Sequence, residues 1–257
     1  MPAAAAVGLV RAAIDPTVAA GWLDAIDAHP AWRRRGAVAA EVRRGVPGAD
    51  AAVIGDRDFN PYSSSLRLGA VAGIDARSLA HLIAAGESGR FCRGHLGAVL
   101  RCNLDQCWVR RQYAPARYPP LHAPHAWHQD GALGFDFLGT CEQAKAQALI
   151  EMVTCWVALT PCGAHAPGLE LVTCATALRP IGALSDGAVR HDHDPSHFWR
   201  PVLEAGDVLV FTGGVLHHTH VDAPMQQDRT SLELRFFGAD SVPERLRDDT
   251  FFTLDPT

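Results

Sequence analysis

Trp127-His128-Gln129-Asp130-Gly131 is the stretch around which the rest of the chain can be organised. On an extended segment His128 and Asp130, at i and i+2, point to one face. An imidazole and a carboxylate aimed together are two members of a facial metal triad, which leaves coordination positions open for small ligands. A third donor must come from elsewhere. The fold therefore turns on whether a distant strand brings one.

Downstream, the texture is that of short strands. Bulky and β-branched residues predict one or two strands over 99–113, then strands near 149–159, 168–174, 207–212, 215–219 and 230–237. The last alternates, with Leu232, Leu234 and Phe236 on one face and Ser231, Glu233 and Arg235 on the other. Upstream, Asp15-Pro16 opens a helix with Val18, Trp22, Leu23 and Ile26 as its apolar face and Pro30 near its end. A second helix is predicted over Ala76–Ala85, with Leu79, Leu82 and Ile83 inward and Gly86 as stop. Residues 36–65 read as loops with room for one short helix, and 115–124 as a loop leading to His128. The Gly/Phe stretch 131–139 reads as a mobile cover, Thr140-x-x-Gln143 as a capping box for a short helix. The polar excursion 176–200, with His191, His193 and His197, reads as a solvated loop over the pocket side. Helices followed by many strands predict a mainly β (α+β) single domain. Helical support occupies about 1–95, and a closed or sandwiched antiparallel core about 99–240.

Composition narrows the function. Of the 257 residues 48% are hydrophobic and 20% charged, enough for a substantial core. Net charge is −5 and the basic residues cluster only at Arg33-Arg34-Arg35, which argues against a nucleic-acid partner. Lys145 is the sole lysine, so Schiff-base chemistry would have to rest on it. Seven cysteines without a CxxC pair predict reduced thiols and a cytoplasmic location. The Ala-rich start lacks a basic region and is interrupted by Arg11, and no apolar run is long enough to span a bilayer, so neither export nor membrane insertion is expected. Nothing in the pattern specifies an oligomeric state.

The third donor has a candidate block. Gly206-Asp207 opens an apolar strand that is followed by Leu216-His217-His218-Thr219-His220. Alternation puts His217 and Thr219 on one face and His218 and His220 on the other. Arg229 stands at the mouth of the last apolar strand. A guanidinium at the inner end of a barrel is costly unless it meets an anion, and its planar fork suits a carboxylate. The alternatives are a packed His217 with His218 as ligand, and a surface ion pair of Arg229 with Asp228 or Glu233.

His128-x-Asp130, the Gly206-Asp207…Leu216-His217 block and Arg229, taken in order, resemble the phytanoyl-CoA dioxygenase family of Fe(II)/2-oxoglutarate oxygenases over about residues 100–237. The resemblance implies a double-stranded β-helix (jelly-roll, cupin-like) core. It implies Fe(II) on His128, Asp130 and His217, with Arg229 gripping the distal carboxylate of 2-oxoglutarate. It sets Thr219 where a hydroxyl helps that grip, Gln112 where a polar residue faces cosubstrate or substrate, and Trp156 where a side chain lines the cosubstrate pocket. One face must hold both ligand and hydroxyl, which favours His217 over His218 and His220. The implied chemistry uses O2, converts 2-oxoglutarate to succinate and CO2, and oxidises, by default hydroxylates, a C–H bond of a small metabolite, with a biosynthetic role as one setting. A carboxylate at position 130 disfavours halogenation, because halogenating relatives carry a small residue there. Two features depart from the family. Thr173-Cys174-Ala175-Thr176 stands where the family often has Pro-Gly-Ser-His, and the gap from His217 to Arg229 is slightly long. The same donors would also serve a zinc-dependent hydrolase or a non-catalytic cupin-like protein binding a metal or small acid. Arg229 speaks against the first, the cover loops against the second.

Overall fold

The computed structural model describes residues 6–32, 58–60, 63–119, 122–132, 149–173, 193–242 and 251–254. Asp15 caps helix α1 (Pro16–Ala28) by accepting the Thr17 amide at 2.7 Å. Ala19 and Ile26 form its buried stripe with Trp22 packed alongside, whereas Val18, expected inward, is 41% exposed. Positions 19, 22 and 26 lie on one helical face, and 18 falls off it. Helix α2 (Ala76–Ala85) has the predicted bounds and an Asp75 cap. Leu79 and Ile83 point inward, but Leu82 is 49% exposed. Gly86 ends α2 and also caps α3 (Glu87–Leu96), a helix the sequence reading missed. Its buried residues are Ser88, Gly89 and Cys92, which give little apolar periodicity to read.

The strands are β1 (Val7–Val10), β2 (Phe59–Asn60), β3 (Ser65–Arg67), β4 (Leu100–Asn103), β5 (Trp108–Gln112), β6 (His128–Gln129), β7 (Met152–Ala158), β8 (Gly168–Val172), β9 (Phe198–Trp199), β10 (Val208–Thr212), β11 (Leu216–His220), β12 (Arg229–Gly238) and β13 (Phe251–Leu254). A nine-stranded sheet runs β1-β10-β7-β12-β5-β3-β2, with β4 on β12 and β13 on β4; a four-stranded sheet runs β6-β11-β8-β9. Every expected strand is present. β2 lies within the stretch read as loops, β3 begins at its last residue, and β9 lies inside the polar excursion. β1, β2, β3 and β13 all join the larger sheet from outside 99–240. The expected helix at 140–143, the cover loop from 133 and residues 176–192 of the excursion lie outside the described residues.

The two faces of the larger sheet do different work. Val153, Cys155, Val157, Leu232, Leu234 and Phe236 pack under α2 and α3. Trp156, Leu209 and Phe211 point the other way, against Leu169 and Leu171 of the smaller sheet. Both faces of β7 are therefore covered and all of it is buried. The same cover explains β12. Its alternation is as expected, but Ser231 (0% exposed) and Arg235 (2%) look into the space between the sheets rather than into water. Two antiparallel sheets around a polar-lined interior make the double-stranded β-helix expected from the sequence. The described cysteines, Cys92, Cys102, Cys107, Cys155 and Cys162, are free and buried. Among the described residues no helix is long and apolar enough to cross a membrane.

The Gly206-Asp207 turn fastens the N-terminal arm to this frame. Gly206 has φ +92°, and a Cβ there would come within 2.1 Å of the Ile14 carbonyl oxygen. Asp207 accepts the amides of Ala12 (2.8 Å) and Glu204 (2.9 Å) and the Arg11 guanidinium (2.6 Å).

Candidate metal centre

β6 and β11 pair antiparallel with His128 directly opposite His217, their ring centroids 4.2 Å apart. Nδ1 of His128 lies 2.7 Å from the Ala126 carbonyl, and Nδ1 of His217 lies 3.0 Å from that of Val215. A carbonyl only accepts, so each Nδ1 carries the proton and each Nε2 keeps its lone pair. Both Nε2 atoms face Oδ1 of Asp130, at 3.7 and 4.0 Å. Those gaps are too long for hydrogen bonds. They suit three ligands of one ion, since donors ~2.0–2.2 Å from a metal sit roughly 3–4 Å from one another.

Asp130 is fixed from behind. Thr154 Oγ1 donates to Oδ2 at 2.5 Å and Arg235 Nη2 to Oδ1 at 3.0 Å. Burial works to raise the Asp130 carboxyl, but Arg235, His217, His128 and the Thr154 hydroxyl together hold it well below the usual carboxylate range. Burial, with the charge of His217 adding, brings His128 down to about 4, although the edge of its ring reaches solvent. Burial lowers His217 as well. At neutral pH the cluster is one carboxylate and two neutral imidazoles, the protonation states that bind metals.

The rest of the opening stretch supports this pair. Trp127 lies on the far side, its ring 4.0 Å from that of His218. The Gln129 side chain donates to the Gly214 carbonyl at 2.8 Å. Gly131 donates to the Gly213 carbonyl, and a Cβ on it would come within 2.9 Å of the carbonyl oxygens of Gly213 and Ile150.

Arg229 is 3% exposed, with its guanidinium 4.9 Å above the Trp156 ring and Nη1 donating to the Gly168 carbonyl at 3.3 Å. Among the described residues it has no carboxylate partner. Asp228 pairs with Arg117 (3.1 Å) and Glu233 with Arg110 (2.8 Å), so the surface-pair alternative fails. Burial brings Arg229 down to about 10. Gln112 stands directly opposite Arg229 on β5, its amide 2.8 Å from His122 Nε2. Thr219 is buried two residues beyond His217. Trp156 Nε1, Arg229 Nε, Ser231 Oγ and Arg235 Nε are buried without a hydrogen-bond partner. Arg229, Ser231 and Arg235 share the inner face of β12, and Trp156 lies beside them on β7, opposite Glu233. Unpaired buried donors are costly, and a set of them fits an acceptor-rich anion.

All seven residues singled out from the sequence thus line the space between the sheets. His218 does not: it turns outward, with Nε2 2.7 Å from Glu170 Oε2. Several residues of the site were missed. Arg235 and Thr154 carried a signal, since each alternates in phase with a recognised neighbour, Arg229 or Trp156. His125 and Arg110 carried none. The His125 ring lies 5.5 Å from that of His128, and its Nε2 accepts from Arg110 at 2.6 Å. Both line a cavity of about 320 Å³ with Ser65, Trp108 and Ala126, on the flank of His128.

No protein-family model matches the sequence, and no curated protein matches it. Solved structures do. One is the epimerase SnoN from nogalamycin biosynthesis, in complex with Fe3+, alpha ketoglutarate and nogalamycin RO, at 16% identity and TM-score 0.57 over 99% of this chain and 91% of that one. Another is the non-heme alpha ketoglutarate dependent carbocyclase SnoK, at 15% identity and TM-score 0.54 over 99% of this chain and 89% of that one. A third is EctD from S. alaskensis, at 14% identity and TM-score 0.56 over 94% of this chain and 76% of that one. At these identities the likeness is one of fold.

Proposed function

We propose that this chain is an Fe(II)- and 2-oxoglutarate-dependent oxygenase acting on a C–H bond of a small metabolite. The observation that carries the reading is a pair of features in one interior. Two imidazole lone pairs and a carboxylate converge at one point, and a buried guanidinium without a carboxylate partner lies further along the same space. Arg229 donates to Gly168, which pairs with His220, three residues along β11 from His217 and so ~10 Å away at ~3.3 Å per residue. A short dicarboxylic acid with one end at the triad reaches that far. A hydrolase needs no such anchor.

His128, Asp130 and His217 would hold the iron on one face. With 2-oxoglutarate bound, a metal held there would supply the oxidising power of a reaction that consumes O2 and converts the oxo acid to succinate and CO2. Thr154 and Arg235 keep the Asp130 carboxylate ionised and aimed. Arg229, over Trp156 and beside Gln112, would grip the far carboxylate of the cosubstrate, with Thr219 adding a hydroxyl; that grip fixes its orientation. The cavity bordered by His125, Arg110 and Trp108 is the space for the substrate, and its size suits a small polar molecule. Solved proteins of this fold include an epimerase and a carbocyclase, so hydroxylation is the default outcome rather than one the fold dictates.

The test is succinate release from 2-oxoglutarate over a panel of small metabolites. Release should need Fe(II) and O2 and should rise with the right substrate. In Arg229→Ala the apparent KM for 2-oxoglutarate should climb about 10- to 100-fold, the loss of a charge-assisted pair. Binding of 2-oxoglutarate without succinate release across the panel would leave a binding protein instead.

A further inference from the structure

The outer face of the smaller sheet carries a second set of donors built on the same plan as the first. His218 and His220 are i and i+2 on β11 and turn to the face opposite His217. Glu170 of β8 stands directly across from His218. One donor atom from each of Glu170, His218 and His220 lies within 4.8 Å of the other two. The inner set has the same form, an i, i+2 pair with a residue of the adjacent strand opposite its first member.

The support around the outer set also matches. Glu170 is 4% exposed, and its Oε1 takes the Arg200 guanidinium at 2.6 Å, which leaves Oε2 turned to His218 at 2.7 Å. Arg200 thus stands to Glu170 as Arg235 stands to Asp130. The Trp127 ring lies 4.0 Å from that of His218 and helps hold its orientation. His220 is buried, and its Nε2 lies 3.0 Å from Oδ2 of Asp222, a half-exposed carboxylate at the rim.

We infer that Glu170, His218 and His220 form a second metal site, for Zn(II) or a divalent ion of similar preference, with Asp222 available as fourth ligand. Two imidazoles and two carboxylates are a nitrogen and oxygen set that zinc takes in four-coordinate geometry. With Asp222 the outer set supplies four donors and suits a closed Zn(II) site, whereas the three inner donors leave positions open for small ligands. The hydrogen bonds now joining the imidazoles to Glu170 and Asp222 are what the ion replaces, each Nε2 proton leaving as the metal enters. The site lies behind the strand that holds His217. An ion there would clamp β8 to β11 and stiffen that strand.

Zinc binding to the whole, metal-stripped protein tests this without any turnover. ZnCl2 is titrated by calorimetry and the complexes are counted by native mass spectrometry. His128→Ala/Asp130→Ala, which disables the inner set, should still bind one Zn(II). Adding His218→Gln/His220→Gln should abolish that binding. Cobalt(II) substituted into the inner-disabled protein should give the strong visible bands of a four-coordinate ion. Zn(II) at 100-fold above its Kd should raise Tm of the inner-disabled protein by roughly 5–10 °C. Glu170→Gln and Asp222→Asn are milder guards against misfolding. Glu170→Gln should weaken Zn(II) by at least about 10-fold, while Asp222→Asn weakens it less. An inner-disabled protein that takes up no Zn(II), or one whose uptake ignores the His218/His220 and Glu170 substitutions, would overturn the site.

Discussion

His217 and His218 are neighbours in the chain and opposites in the fold. Each faces a carboxylate that an arginine holds, and each has a second imidazole-bearing neighbour. They differ in where the proton sits. On the inner face the Nδ1 atoms meet backbone carbonyls, so the Nε2 lone pairs are free and converge on Asp130. On the outer face the Nε2 atoms themselves meet carboxylates. The donor types are alike, yet the inner cluster is arranged in advance for an ion and the outer one is filled by protons. A third buried carboxylate completes the series. Asp207 has its arginine, Arg11, but its other partners are two backbone amides, and its role is to hold a turn.

The sharpest way to break the contrast is to remove one histidine at a time. His217→Ala should take Fe(II)-dependent succinate release to background, because a facial set missing one member no longer holds the ion. His218→Ala should leave the rate within about threefold, since its ring lies outside the inner space and Glu170 keeps its Arg200 partner. Equal losses in the two variants would erase the distinction between the faces.

The two arginines behind the carboxylates give the next effect. Arg235 is 2% exposed and carries the Asp130 pair at 3.0 Å. Arg235→Leu should weaken Fe(II) binding about 10- to 100-fold by freeing Asp130 to turn, and it should cost roughly 3–5 kcal/mol of stability because it strands a buried charge. Arg200 reaches Glu170 from a side chain 52% exposed. Arg200→Leu should leave Fe(II) affinity unchanged and cost less, about 1–3 kcal/mol, because the buried Glu170 loses one charged hydrogen bond but keeps His218. Metal titration and denaturant unfolding of the two variants, run side by side, measure the difference between an enclosed support and an exposed one.

Much of this contrast was legible in the chain. The period-two pattern over Leu232, Leu234 and Phe236 marked β12, and the same rule separated His217 from His218 before any pairing was known. What escaped depends on register and on cover. That Glu170 stands opposite His218 follows only once β8 and β11 are aligned, and no local signal sets that alignment. Ser231 and Arg235 read as a polar face, and polar faces ordinarily meet water; here the second sheet lies over them. β1 stayed hidden because its edge is satisfied by β10, far along the chain. α3 stayed hidden because arginines, a histidine and glycines blur its apolar stripe, and its place is set by packing on the sheet. Val18 and Leu82 were misplaced by the same error, reading any apolar residue near a stripe as part of it.

The last contrast concerns the carboxylate with no imidazole, where no effect on the metal is expected. Burial pushes the Asp207 carboxyl up, but the amides of Ala12 and Glu204 and the Arg11 guanidinium pull it below its ordinary value of 3.8. A folded-state pKa lower than the unfolded one adds stability that is fully present above the unfolded value and is lost as pH falls through the folded value. Asp207→Asn keeps the shape and removes the charge. It should cost about 1–3 kcal/mol, the loss of charged hydrogen bonds that hold the N-terminal arm. The gap between wild type and variant in denaturant midpoints should be flat above about pH 5 and should close below about pH 4, where the wild-type carboxyl takes up its proton. Fe(II) affinity should not move with it. A gap that persists in acid would mean that Asp207 acts through shape rather than charge, and a change in Fe(II) affinity would mean that the turn and the inner cluster are coupled through β10 and the strand that follows it.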